Sequence, residues 1–353
     1  MFIANLCPKR IDDITDNVLK MRLRNLLKSP HNFILEGKEN IGKKTTVRSF
    51  LCSYFDCSKI HFRSYEERIN KNLMGKIKVA FGSILEVNLV HFNVHDKLIL
   101  SNIIEPYLRV RPYNDKPRFI VIPDIDKITE CAAKMIKTFS EKYYQWNIFI
   151  GTVESSNALS QSLKHNFDVI KMPNIKDEDI ISLVKKYEEL ESDNEKKEKT
   201  KRLLTNEEDM NLMIKYIKFP SGIINYSSFF YIFTNYLIYD EITPTVEEIK
   251  TKQLYKSMIE LLRNQSEEDI ANCKDILFDF YSQHYRIEYL ISAILNYLRK
   301  DFDISGDFYN AISEIDVRNN KGNRYFIHME CFIFYILKEI VLGKNLKRKS
   351  LVK

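Results

Sequence analysis

"FILEGKENIGKKTTVRSF", Phe33–Phe50, is the stretch that decides the fold. Its upstream part, His31–Gly37, is a short apolar run closed by glycine, the pattern of a strand buried in a parallel sheet. Downstream, Val47, Phe50, Leu51 and Tyr54 fall at i, i+3, i+4 and i+7, which predicts an amphipathic helix. Between them, Gly37, Gly42 and Lys43 match the phosphate-loop pattern G-x-x-x-x-G-K-[ST] up to its last place. Such a loop works because backbone N–H groups and a helix N-terminus converge on anionic oxygens, while the lysine adds charge to the outer phosphates. Gly37, Asn40, Ile41, Gly42, Lys43, Lys44, Thr45 and Thr46 are therefore the candidate nucleotide-binding residues, for ATP or ADP.

The last place departs from the pattern. Lys44 stands where a Ser or Thr hydroxyl normally holds Mg²⁺. Thr45 comes one residue late, rotated roughly 100° around the helix, and cannot simply substitute. Mg²⁺ is thus left without its usual ligand. Lys44 either sets a second positive charge beside the phosphates, favouring binding without ordinary metal-assisted hydrolysis, or points to solvent.

Further strands are expected at Ile84–Asn88, Arg118–Asp126, Asn147–Val153 and Phe167–Pro173, with a helix at Glu130–Tyr144. Strands alternating with helices imply a parallel, doubly wound α/β sheet. Beyond Pro173 the pattern is helical. Ile175–Leu190 opens with acids near its N-terminus, as the helix dipole favours. The charge run Glu191–Arg202 reads as a solvated loop or helix end. Pro244, Thr245 and Glu248 signal a turn and a helix start, followed by a bundle of four or five helices.

In "RFIVIPDID", Arg118–Asp126, an ATPase would follow the apolar strand with an Asp for Mg²⁺ and a Glu to orient water. Those places hold Pro123 and Asp124. Proline cannot bind metal, and Asp is a methylene shorter than Glu. Asp124 and Asp126 also read as a cap for the next helix. An active phosphate-loop ATPase would need an acid at 123 and a Ser or Thr at 44, and has neither. His91 and His95 have the i, i+4 spacing of metal ligands with Asp96 nearby, but no third ligand completes a set, and no metal site is expected.

Composition bounds the rest. The 353 residues, 44% hydrophobic and 29% charged, are those of a soluble globular chain of two or three domains. No apolar run reaches the ~18 residues that cross a bilayer. Phe229–Tyr239 is too short and is expected inside a helical domain. No signal peptide is expected at the N-terminus. The six cysteines form no C-x-x-C pair and read as reduced intracellular thiols. A net charge of +6 admits a nucleic-acid partner without demanding one. The basic tail Gly343–Ser350 is a candidate nuclear-import or phosphate-contacting patch.

Several of these segments resemble, in order, a small subunit of replication factor C, the eukaryotic AAA+ sliding-clamp loader. "NIGKKTT", Asn40–Thr46, is similar to the subunit type whose loop reads G-K-K-T. "DIDKITECAAKMIKTFSEKY", Asp124–Tyr143, resembles the family's helix after the acidic strand, and Gly322–Leu337 resembles its last collar helix. "LCPKRIDDITDN", Leu6–Asn17, resembles the segment that cradles adenine, with Pro8 kept and Cys7 in place of arginine. The resemblance implies an AAA+ module over residues 1–173, a helical lid over 174–241 and an oligomerising helical collar over 242–353. It implies a nuclear hetero-pentamer with other replication factor C subunits, a ring-shaped clamp of the PCNA type and primer–template DNA as partners, and no membrane. Its arginine-finger position falls on Asn166, which carries no charge, with Lys164 the nearest cation. No lid arginine appears in Phe219–Phe229. Metal ligand, water-orienting Glu, finger and lid arginine are all altered, which implies a subunit outside the hydrolysis cycle, since a finger alone is worth ~10³ or more in rate. The resemblance also turns Lys127, Lys134 and Lys137 toward DNA phosphates, contacts that read no sequence. Without it they are an ordinary solvated face. A scaffold that binds no nucleotide, and a subunit of a checkpoint or cohesion loader, are the alternatives.

Overall fold

The computed structural model describes residues 6–70, 73–89, 95–112, 116–220, 222, 224–264, 267–283, 287–321, 325–342 and 346–348. They form two compact units. The first runs to Ser192 and includes Asn225–Ser227; the second comprises Asp193–Ile224 and the chain from Ser228 onward.

The first unit is built on a seven-stranded sheet. Its strands are β1 (Phe33–Glu36), β2 (Arg63–Asn70), β3 (Leu73–Ala80), β4 (Ile84–Glu86), β5 (Arg118–Ile122), β6 (Asn147–Val153) and β7 (Asp168–Lys171). The order across the sheet is β2-β3-β4-β5-β6-β1-β7. Strands β4, β5, β6, β1 and β7 pair in parallel. The β2–β3 hairpin adds two antiparallel strands beside β4. The sheet is therefore mixed: the expected parallel core carries a hairpin that the sequence reading did not anticipate.

The helices of this unit are α1 (Asn17–Lys28), α2 (Lys43–Tyr54), α3 (Asp96–Ile99), α4 (Glu105–Arg109), α5 (Glu130–Lys142), α6 (Gln161–Lys164) and α7 (Asp177–Leu190). A π-helical turn, Leu100–Ile104, joins α3 to α4. Successive strand side chains point to opposite faces, so each central strand feeds two cores. Phe33 and Leu35 of β1 and Phe119 and Val121 of β5 pack with Leu23 of α1 and Phe50 of α2. Ile34, Ile120 and Ile122 face the other way, onto Leu100, Ile103 and Ile136. All five residues of β5 and all seven of β6 are buried, as strands covered on both faces must be. In this order β6 is seated between the loop strand β1 and the acidic strand β5.

The second unit is helical: α8 (Asn194–Thr205), α9 (Glu207–Lys218), α10 (Tyr226–Tyr239, past its first turn), α11 (Val246–Asn264), α12 (Glu267–Ser282), α13 (Ile287–Asp301), α14 (Gly306–Lys321) and α15 (Tyr325–Leu342). Its core gathers Leu254, Met258, Phe280, Leu290, Ile294, Phe308 and Phe332. Thr245 caps α11, its hydroxyl accepting from Glu248 N at 3.4 Å. The charge run after Glu191 is a full helix, α8, which buries Thr200 and Leu203 among its exposed lysines and glutamates. Part of the basic tail, Leu346–Arg348, is a short strand antiparallel to Phe302–Ile304. Phe229, Ile232 and Phe233 are buried, as expected for that apolar stretch. Among the described residues no helix is long and apolar enough to cross a membrane.

Candidate functional site

The loop between β1 and α2 has the backbone a phosphate cradle needs. Asn40 (φ 56°) and Gly42 (φ 94°) are left-handed, and Gly42 caps α2 without a side chain. A Cβ at Gly37 would stand 2.3 Å from Ile41 Cδ1, so a larger residue there would have to push the buried Ile41 side chain aside. α2 then begins with Lys43 and Lys44 and has no acid in its first turn. Cations at a helix N-terminus oppose the dipole, whereas α7 starts with Asp177, Glu178 and Asp179. Two lysines against the dipole make the start of α2 a place that an anion stabilises.

The two lysines are held differently. Lys43 is buried, and its Nζ donates to the carbonyls of Gly37 and, at 3.0 Å, Lys38. Burial pulls its pKa below the usual lysine value, opposed by the charges of Asp124, Glu154 and Asp126. Lys44 crosses to the end of β5, where its Nζ lies 3.4 Å from Asp124 Oδ2. Its side chain remains exposed, with the ammonium beside that carboxylate. Thr46 is buried with its hydroxyl on Gly42 O (3.1 Å), and Thr45 is half-buried. Pro8 comes to the same helix: its carbonyl accepts from Ser49 Oγ at 2.7 Å. Tyr226 lies over the loop, its N donating to Asn40 O (3.0 Å) and its ring edge about 3.5 Å from where a Gly42 Cβ would be. Sequence reading missed Tyr226, because it lies far along the chain from the loop.

Asp124 is held in the left-handed region (φ 52°), and its N donates to the buried Thr152 hydroxyl of β6 at 3.0 Å. Its carboxylate makes no helix cap. The following helix, α5, is capped instead by Thr129, whose hydroxyl accepts from Ala132 N (3.2 Å). Thr129 is fixed in turn by buried Asp96, which accepts from its N (2.8 Å) and hydroxyl (3.0 Å). Asp96 is thus a structural acceptor; His95 is exposed beside it, and His91 lies outside the described residues.

A divalent ion such as Mg²⁺ demands several oxygen ligands in near-ideal geometry. Pro123 offers none, and Asp124 is paired with Lys44. Glu86 is paired with Lys78 at 3.2 Å, and Asp126 Oδ2 accepts from Glu154 N at 3.3 Å. Asp126 Oδ1 is buried without a partner, a single oxygen that makes no site by itself. Among the described residues no cluster of three metal-ligating side chains exists. The residues present do not fit Mg²⁺.

Asn166 donates to Glu141 Oε1 (2.8 Å) at the end of α5, and Lys164 is exposed on α6. Lys127 lies 3.7 Å from Glu39, Lys134 2.9 Å from Glu130 and Lys137 3.8 Å from Glu141. These exposed pairs are weak, of order 0–1 kcal/mol each, and exchangeable.

No family model matches the chain, and no curated protein matches it. Among solved structures, RuvB of Thermotoga maritima is 13% identical over 85% of this chain and 93% of its own, with a TM-score of 0.44. A DNA polymerase III gamma-subunit-related protein of Thermotoga maritima is 14% identical (91% and 98% covered, TM-score 0.38). AMPPCP-bound DnaA from Aquifex aeolicus is 12% identical (95% and 98% covered, TM-score 0.38). Similarity at these levels assigns no activity.

Proposed function

We propose that this chain is a nucleotide-holding, non-hydrolysing or weakly hydrolysing subunit of a sliding-clamp loader of the replication factor C type. In that role it would help to open a ring-shaped clamp and place it on primer–template DNA. The observation that carries this reading is the contrast within one site. The loop keeps its left-handed Asn40 and Gly42 and its buried Lys43, while the acidic strand offers Pro123 and a lysine-paired Asp124. What supports the reading is a loop backbone suited to phosphate beside an acidic strand that lacks the usual metal and water ligands. The helical region would divide into a lid over 174–241 and a collar over 242–353, the collar joining the other subunits in a nuclear hetero-pentamer. Lys127, Lys134 and Lys137 would exchange their carboxylate partners for DNA phosphates, a contact that weakens with salt.

Native mass spectrometry of the chain co-expressed with candidate loader subunits tests the proposal. The expected result is a pentamer with one copy of this chain and retained ADP or ATP that Lys43→Ala removes. A monomer that ignores every partner would sink the loader role. A second reading, a scaffold without nucleotide, is favoured by one observation: Lys43 already satisfies itself on the carbonyls of Gly37 and Lys38. A pentamer with an empty loop here would select it.

A further inference from the structure

We infer that Lys44 is a tethered counter-cation that takes the place of a divalent metal, so that the loop receives a nucleoside di- or triphosphate as the free anion rather than as its Mg²⁺ complex. This inference rests on the nucleotide-holding reading and names the form of the ligand.

The argument starts from charge. A nucleotide bound at a helix start brings two or more negative charges that must be compensated in a partly dehydrated place. In the described site the compensation comes from side chains. Lys44 leaves the first turn of α2 and reaches the end of β5, its ammonium 3.4 Å from Asp124 Oδ2. An ammonium has three donors, and Asp124 takes one, leaving two for phosphate oxygens. Its side chain keeps 57% of its surface accessible, so the charge is presented at the mouth rather than spent inside.

Arg48, one turn further along α2, lines the same small pocket with Lys44, Glu86, Pro123 and Thr152. Its guanidinium is 5.9 Å from the Phe62 ring centroid. A divalent ion placed in that pocket would meet two cations, Lys44 and Arg48, and carboxylates already paired with Lys44 and Lys78. The like charges oppose its entry. The geometry that rejects the metal is the geometry that replaces it.

Nothing else the loop does requires the metal. Backbone N–H groups at the start of α2 and the Lys43 ammonium, once it leaves the Gly37 and Lys38 carbonyls, supply the remaining donors. In the absence of ligand Asp124, anchored through its own N on Thr152 Oγ1 at 3.0 Å, keeps the Lys44 ammonium at the end of β5, from which a phosphate would have to draw it.

The test is ADP binding to the full chain by calorimetry, with chelator and then with excess Mg²⁺, for the unaltered protein, Lys44→Thr, Asp124→Asn and Lys43→Ala. The expected result is that the unaltered chain binds ADP with dissociation constants that agree within about threefold in the two conditions. Lys44→Thr should bind about tenfold more weakly in chelator and recover part of that loss when Mg²⁺ is added. Asp124→Asn, which releases the ammonium from its carboxylate, should tighten binding in chelator. A circular-dichroism melt of each variant checks that the fold is kept, and Lys44→Gln provides a second neutral replacement. If the unaltered chain gains tenfold or more from Mg²⁺, roughly 1.4 kcal/mol, the inference fails while the nucleotide-holding reading stands. If Lys44→Thr and Lys44→Gln both match the unaltered chain in chelator, the lysine contributes nothing and the inference fails likewise. If the unaltered chain binds no ADP in either condition, both readings fall together.

Discussion

Glu248 sits on the first turn of α11 with Oε2 buried and without a hydrogen-bond partner. Burial pushes its pKa up from 4.5 to about 7, against the lowering charges of Lys252, Lys300 and Lys215. Between those values the folded chain keeps the proton and the unfolded chain has lost it. Stability contributed by this group therefore falls as pH rises from 4.5 toward about 7 and is level above. Glu248→Gln should raise stability at pH 8 by about 1–2 kcal/mol, a figure discounted for partial exposure, and change little near pH 4.5. Urea titrations at the two pH values check it, and equal effects at both would refute it. The lysine pair at the loop shows what the sequence could and could not say at this scale. That two cations open α2 against its dipole is legible in "GKKTT". That Lys44 meets Asp124 is not, because 80 residues separate them and no linear pattern joins them.

At the scale of elements, α5 shows how one helix start is secured from a distant segment. Thr129 caps it, and Asp96 holds Thr129 from 33 residues away while also accepting from Lys97 N at 2.6 Å. Asp96→Ala should orphan three donors and cost about 2–3 kcal/mol, and Thr129→Ala about 1–2 kcal/mol. Chemical denaturation of both variants tests this, and an Asp96→Ala protein as stable as its parent would show the clamp to be idle. The sequence offers Asp124 and Asp126 as an alternative cap because they precede the helix and have the right chemistry. The 3-10 turn Ile125–Lys127 intervenes and leaves Thr129 at the N-cap. The α8 segment was hard to read for a related reason. Only Thr200 and Leu203 of its twelve residues are buried, so the apolar stripe that reveals a helix is nearly missing. The β2–β3 hairpin was silent because "RSYEERIN" mixes charge into a strand and so lacks an apolar run.

The whole molecule was legible where burial is complete. Strands β1, β5 and β6 are mostly apolar because both of their faces are buried, and the switch to helices after Pro173 shows directly in composition. Membership of the units was not legible, because the chain leaves the first unit at Asp193 and returns to it for Asn225–Ser227. Tyr226 in that return lies against Gly42 and donates to Asn40 O. A chain truncated after Ser192 should therefore retain its sheet but bind ADP at least about tenfold more weakly than the full chain. Equal affinities by calorimetry would show the returning tripeptide to be dispensable. The same feature constrains the order of manufacture. A ribosome delivers the sheet, the loop and all of α7 before it delivers Tyr226. At ordinary synthesis rates the loop waits on the order of tens of seconds for its last piece. During that interval the nascent chain has Gly42 uncovered and the Asn40 carbonyl open to water, so the loop matures only after the second unit has begun to emerge.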